Sequence, residues 1–182
     1  MQINSLLNCR ITKHHSNASM TLILTLKLNV SLQNFFTHER QCFYPSKRNI
    51  VPAHVMLFHQ LPEDAFLSIQ NTLNELTAQH TCQFVQVSGI QFLGCGNAYR
   101  LSFDQTVFLK LRQRWFAQLI PQDKQRCQPH VTVQNKVSAT KARLLNQTLN
   151  NRFSPLYGNI IGFELWRYMH GPWQWLSCHY FC

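Results

Sequence analysis

The stretches Pro52-Ala53-His54-Val55-Met56-Leu57 and Gln128-Pro129-His130-Val131-Thr132-Val133 decide how the chain folds, and their histidines stand 76 residues apart. Each stretch opens on histidine, continues in apolar and β-branched residues, and is followed by a helix-forming segment, from Pro62 in one case and Ser138 in the other. In an extended strand, residues i and i+2 point to the same face. His54 and Met56 therefore share one face, with Val55 and Leu57 turned to the core. His130 and Thr132 share a face in the same way, with Val131 and Val133 behind them. A strand that opens on histidine and leads to a helix thus occurs twice, about half a domain apart. That duplication predicts a two-lobed, pseudo-symmetric arrangement.

Outward from these stretches, the pattern alternates between periods of two and of 3.6. Leu22, Leu24, Leu26, Leu28 and Val30 alternate with Ile23, Thr25, Lys27 and Asn29, which predicts a strand with one strongly apolar face. Ser31 is placed to cap a short helix whose Leu32, Phe35 and Phe36 face inward. Ala53 to His59 follows as a strand, and Leu61-Pro62-Glu63-Asp64 opens a helix with proline and carboxylates at its positive end. Phe84 to Leu93 and Tyr99 to Phe103 read as a hairpin around Gly94-Cys95-Gly96-Asn97. Phe108, Leu111, Trp115 and Leu119 mark a helix closed by Pro121, with Lys110, Arg112 and Arg114 on its other faces. His130 to Lys136 is a strand, and Ser138 caps a helix carrying Ala142, Leu145, Leu149 and Phe153. Ile160 to Tyr168 and Trp173 to Phe181 pair around Gly171-Pro172. About seven strands and four helices in mixed order predict an α+β domain with largely antiparallel sheets.

Composition bounds the function. The chain has 182 residues, 45% of them hydrophobic, enough for one domain with a full core. Lys and Arg number 17 against 7 Asp and Glu, a formal charge of +10, and such a field concentrates polyanions such as RNA. Seven scattered cysteines with no CxxC suit reduced thiols in a cytosol better than a disulfide scaffold. No segment approaches the roughly 20 apolar residues of a membrane span. Residues 1–19 are polar and irregular, and are expected to be a disordered extension, with the domain over 20–182. A cytoplasmic monomer is the expectation.

Two histidines facing each other across a phosphate suit hydrolysis of a 2',3'-cyclic phosphate. One takes a proton from the attacking water while the other protonates the departing ribose oxygen, and attack and departure are roughly in line. Thr132 beside His130 can donate a hydrogen bond to a phosphate oxygen. His38, His59, His80 and His179 are read as hydrogen-bonded structural residues, and the late tryptophans (Trp115, Trp166, Trp173, Trp175) as core packing. His54 and His59, five apart on a strand, are expected on opposite faces, and no metal site is expected.

Pro52-Ala53-His54-Val55-Met56-Leu57-Phe58-His59-Gln60-Leu61-Pro62 and Pro129-His130-Val131-Thr132-Val133-Gln134-Asn135-Lys136 resemble the paired HxTx or HxSx motifs of the 2H phosphoesterase superfamily. The similarity is greatest to its 2'-5' RNA ligase, or RNA cyclic phosphodiesterase, group. It runs from about Thr21 to the end, and includes the approach from Pro45 to Asn49 and the closing segments Leu165-Trp166-Arg167-Tyr168 and Gly171-Pro172-Trp173. The resemblance implies a bilobal, pseudo-symmetric α+β fold with two antiparallel sheets around a central cleft, helices outside and both motifs lining the cleft, and phosphodiester chemistry on RNA ends or cyclic nucleotides without a cofactor. It implies His54 and His130 as the acid-base pair and Thr132 as a phosphate ligand. Arg100, Lys136 and Arg48 are the basic candidates for substrate contact. One departure stands out: Met56 occupies the place of the first motif's Thr or Ser, and a thioether donates no hydrogen bond. A catalytically weakened RNA- or nucleotide-binding module, and reversible 2'-5' RNA ligation at the same site, are the competing readings.

Overall fold

The computed structural model describes residues 20–125 and 128–182. The chain runs β1 (Thr21–Leu28), α1 (Val30–Phe43), β2 (Val55–Pro62), α2 (Phe66–Ala78), β3 (Gln83–Phe92) and β4 (Asn97–Ser102). It continues through α3 (Thr106–Trp115), α4 (Pro121–Lys124), β5 (His130–Gln134), α5 (Ala139–Arg152), β6 (Leu156–Tyr168) and β7 (Trp173–Tyr180). The expected extension over residues 1–19 lies outside the described residues.

The α+β class and the antiparallel pairing are as expected; the division into two sheets is not what the hydrogen bonds show. All seven strands form one set in the order β1-β2-β5-β4-β3-β6-β7, and β1 also pairs with β6, so six strands close into a ring. The long β6 is the bridging element. Its first residues pair with β3 (Ile160 with Gln83, Leu156 with Val87), its later ones with β7 (Gly162 with Tyr180, Tyr168 with Trp173), and β1 runs along its other edge. Opposite that strand the ring closes through a single pair, Val55 of β2 with Val131 of β5. These are the residues immediately after the two motif histidines, so the duplicated stretches meet at their equivalent positions.

One apolar cluster lies behind the strands. Val55, Leu57, Val131 and Val133 are buried with Leu22, Leu24, Leu26 and Leu28, as the alternation requires. From α1, Phe35 packs edge-on against Phe36 and Tyr99 at 5.3 and 5.4 Å between centroids, and Phe36 lies tilted against Tyr99 at 5.7 Å. On the other side of the ring, Phe58 packs against Phe108 and Trp115 of α3 at 5.5 and 5.4 Å. Asn97, fully buried, donates to Gln134 Oε1 and the Ala142 carbonyl, both at 2.9 Å, and accepts from Asn146. This satisfied polar knot fastens β4 and β5 to α5. Gly96 is required beside it, because a Cβ there would stand 2.0 Å from the Gln134 carbonyl oxygen.

A side-chain cap marks one helix start, that of α5. Ser138 caps α5, its hydroxyl accepting from Lys141 N–H at 3.3 Å. The first helix starts earlier than expected, with Asn29 rather than Ser31 at its N-cap, and is 14 residues long. Pro62 ends β2 instead of opening a helix; Glu63–Ala65 form a 3-10 turn before α2. No described helix is long and apolar enough to cross a membrane. Among the described residues Cys42, Cys82, Cys95, Cys178 and Cys182 are free thiols.

Candidate active site

Both histidines stand at the N-terminal end of their strands, one residue from the seam of the ring. His54 donates from Nδ1 to the Pro52 carbonyl at 2.8 Å, and His130 donates from Nδ1 to the Gln128 carbonyl, also at 2.8 Å. A carbonyl only accepts, so each ring carries its proton on Nδ1 and leaves Nε2 as the free nitrogen. The same i to i−2 contact therefore fixes tautomer and orientation in both copies. The rings differ in surroundings. His54 lies against Trp173, centroids 4.6 Å apart and planes at 44°. Burial pushes its pKa down to about 4, the neighbouring charges of Arg40, His130 and His59 adding to the effect against an opposing contribution from the Pro52 hydrogen bond.

His130 opens onto a cavity of about 470 Å3, lined also by Leu57, His59, Gln91, Arg112, Gln122, Asp123, Gln125 and Gln128. A second cavity, about 310 Å3, is lined by Met56, Trp173, Tyr168, Ile23 and Thr21 and shares His59 and Gln122 with the first. The two form a divided cleft with His130 on one side and Met56 on the other. Two buried polar atoms of the first cavity, Gln91 Oε1 and Arg112 Nε, have no partner among the described residues. Buried polar groups are ordinarily paired, so these two atoms are exceptions in the wall of the cavity.

Thr132 is half-buried two residues beyond His130, and its hydroxyl makes no hydrogen bond among the described residues. Arg100 is directly opposite His130 in the β4–β5 ladder, which puts both side chains on one face. One guanidinium nitrogen of Arg100 donates to the Ile90 carbonyl at 3.2 Å, leaving other donors exposed. Lys136 is not brought to the histidines: it occupies a left-handed turn (φ 58°) past the far end of β5. Arg48 is exposed on the 3-10 turn Ser46–Arg48, also away from the cavity linings.

Several residues of the site escape a reading of the sequence. Strict alternation puts His59 on the face opposite His54, in a structural role. Two register irregularities in the β1–β2 ladder, between Leu22 and Leu24 and between Leu24 and Thr25, reset the alternation of β2 and turn His59 into the cleft. Its Nδ1 donates to buried Asp123 at 2.6 Å. Trp173, expected in the core, covers His54, while Trp115 and Trp166 are buried as expected. His179 and His80 do hold structural hydrogen bonds, to Asn74 and Ser177 and to the Leu76 carbonyl. Arg40 is buried on α1, donating to the Thr132 carbonyl and to Asn49 Oδ1, each at 2.8 Å. It ties the approach to the first motif to the backbone of the second. Two charged residues, Glu39 and Arg40, continuing the inward stripe of Leu32 and Phe36 are the available signal. Among the described residues no group of three or more His, Cys, Asp or Glu side chains is placed to hold a metal ion.

Solved structures define the class of the fold. The protein TT0787 of Thermus thermophilus superposes with a TM-score of 0.61 at 17% identity, covering 88% of this chain and 97% of that one. E. coli LigT in complex with 3'-AMP gives 0.53, and in complex with NADP+ 0.52, each at 13% identity over 89% of this chain and 98% of LigT. At such identities the likeness shows a shared fold and nothing more. No curated protein matches the sequence. The model of the 2'-5' RNA ligase superfamily matches residues 28–172, most of the chain, and the protein belongs to that superfamily.

Proposed function

We propose that this protein hydrolyses a 2',3'-cyclic phosphate, or a related 2'-5' phosphodiester, at the end of RNA, with His54 and His130 as its base and acid. The observation that carries this reading is the matched pinning of the two imidazoles, each through Nδ1 to the carbonyl two residues before it. Both Nε2 atoms are left for proton transfer, in two copies of one motif that meet at Val55 and Val131.

His54, held near pKa 4, is neutral at physiological pH and is the proton acceptor. It takes a proton from water as the water oxygen bonds to phosphorus. The bond from phosphorus to the departing ribose oxygen breaks, and His130, which enters the step with a second proton on Nε2, gives that proton to the oxygen while Nδ1 keeps its bond to the Gln128 carbonyl. Solvent then returns both rings to their starting states. Thr132 holds a non-bridging oxygen, and Arg100, across the ladder from His130, balances its charge. Arg48 and Lys136 contribute to binding only through the general positive field. Two proton carriers and fixed donors are sufficient for this chemistry, so the reaction proceeds without a metal or cofactor.

The test is incubation with an oligonucleotide ending in a 2',3'-cyclic phosphate, in the presence of chelator. His54→Ala and His130→Ala are each expected to slow turnover by about 10²–10⁴. Parental rates in both would sink the mechanism. Met56 favours a second reading, a nucleotide- or RNA-binding module that has lost turnover; it predicts salt-sensitive binding of phosphate-ended RNA with no product. The complex of LigT with 3'-AMP supports a phosphate-bearing nucleotide as ligand for either reading. Reversible 2'-5' ligation at the same residues is separated from hydrolysis by supplying a 5'-hydroxyl acceptor.

A further inference from the structure

We infer that Gln122 and His59, anchored by the buried Asp123, supply the phosphate contact that Met56 no longer provides. The inference rests on the hydrolytic reading for the identity of the ligand, and on independent geometry for the residues. At position 56 the sequence offers a thioether where a hydroxyl would hold a phosphate oxygen. The irregularities in β2 deliver a different polar group to the same place. His59 and Gln122 are the two side chains common to both cavities of the cleft, the one lined by His130 and the one lined by Met56 and Trp173.

The three residues form a directed chain. The Asp123 side chain is 1% exposed, whereas that of His59 above it is 41% exposed. Asp123 Oδ2 accepts from the backbone N–H groups of His59 at 2.9 Å and Gln60 at 3.2 Å, while Oδ1 accepts from His59 Nδ1 at 2.6 Å. The carboxylate thus accepts three hydrogen bonds, and with Nδ1 held by Oδ1, His59 presents Nε2 away from Asp123. That nitrogen accepts one hydrogen of the Gln122 amide at 3.2 Å. The amide nitrogen has a second hydrogen, and with the first one engaged its direction is set by the chain beneath it. The result is a fixed, neutral donor at the junction of the two cavities. Its chemical complement is an anionic phosphate oxygen. A hydroxyl at 56 would have done this work from within the motif; here the donor comes from the far end of β2 and from α4.

The test compares Gln122→Ala and His59→Phe, each alone and combined with Met56→Thr. Binding is read with RNA oligonucleotides ending in 3'-phosphate or 3'-hydroxyl, and turnover with the 2',3'-cyclic phosphate form. The ratio of the two affinities isolates the terminal phosphate. It is expected to fall about tenfold in each single variant, and Met56→Thr is expected to restore turnover far more in Gln122→Ala than in the parent. A change that only loosened the fold would weaken both oligonucleotides alike and leave the ratio in place. Gln122 is exposed on the four-residue α4, so that variant reads the contact even if His59→Phe fails to fold. An unchanged ratio in Gln122→Ala, or a Met56→Thr gain that is the same in both backgrounds, overturns the inference. If the ratio falls but the parent yields no product, the phosphate contact stands and the hydrolytic reading fails. If the parent yields product but the ratio holds, hydrolysis stands and this contact does not.

Discussion

The two motif histidines have matching anchors and unequal environments, and at the scale of single residues that inequality has consequences for pH. His54 falls from its ordinary value of 6.5 to about 4 on folding, chiefly through burial. Between those values the unfolded chain binds a proton that the folded one refuses. Stability therefore rises with pH across this window, and is lost as pH falls from 6.5 toward 4, by no more than about 3 kcal/mol. Urea unfolding at pH 4.5 and 7 measures it, and His54→Phe should flatten part of the difference. For catalysis, protonation of His54 removes the base, so the acid limb of kcat/KM for a cyclic phosphate is expected near pH 4 and to vanish with loss of activity in His54→Ala. Met56→Thr is expected to raise turnover a few-fold. The gain falls short of the roughly 10²–10³ one donor carries in other enzymes because Gln122 already occupies part of the role. Of these residues, His54, His130, Thr132 and Met56 could be read from the sequence because they repeat at fixed offsets within a strand. His59, Arg40 and Trp173 could not, since their roles come from chain segments that meet only in three dimensions.

Elements were more legible than contacts, and the exceptions share a cause. Apolar periodicity located all seven strands to within a few residues, because six of them bury one face in a common core and β7 packs Leu176 against it. It failed along β2, where the alternation is broken twice and Phe58, His59 and Gln60 no longer follow a period of two. Periodicity reports a regular strand and cannot see a bulge, which is set by the partner strand. The division into two sheets failed for a similar reason. Nothing local distinguishes a strand that ends at a lobe boundary from β6, which pairs β3 and β7 in succession along one edge. Helix starts obeyed local chemistry where a side chain could act. Ser138 accepts from Lys141 N–H, and Ser138→Ala is expected to cost about 1 kcal/mol in urea unfolding with an unchanged m-value. A loss within error would mean that the α5 start is held by its packing alone.

For the molecule as a whole, two features act over distances longer than a contact: the single-pair seam and the charge. Arg40 braces the seam from behind, since its guanidinium holds the Thr132 carbonyl and the Asn49 side chain while stacking 3.9 Å over Tyr44. Arg40→Met keeps the apolar stem and removes the donors to the Thr132 carbonyl and to Asn49 Oδ1. It is expected to destabilise by about 2 kcal/mol and to slow turnover, because both motifs lose a common brace. The excess of 17 basic over 7 acidic residues acts on a different scale. A cyclic mononucleotide meets only the cleft, where fixed donors and the two histidines decide its rate. A longer RNA strand also crosses the surrounding field, and each backbone phosphate it places there releases counterions, steepening the fall of log K with log salt by about 0.7 per phosphate. Measured from about 50 to 300 mM salt, kcat/KM for an oligonucleotide cyclic phosphate should therefore fall steeply, while that for the mononucleotide stays nearly level. Equal slopes for the two would show that the positive charge plays no part in substrate capture and that recognition ends at the terminal nucleotide.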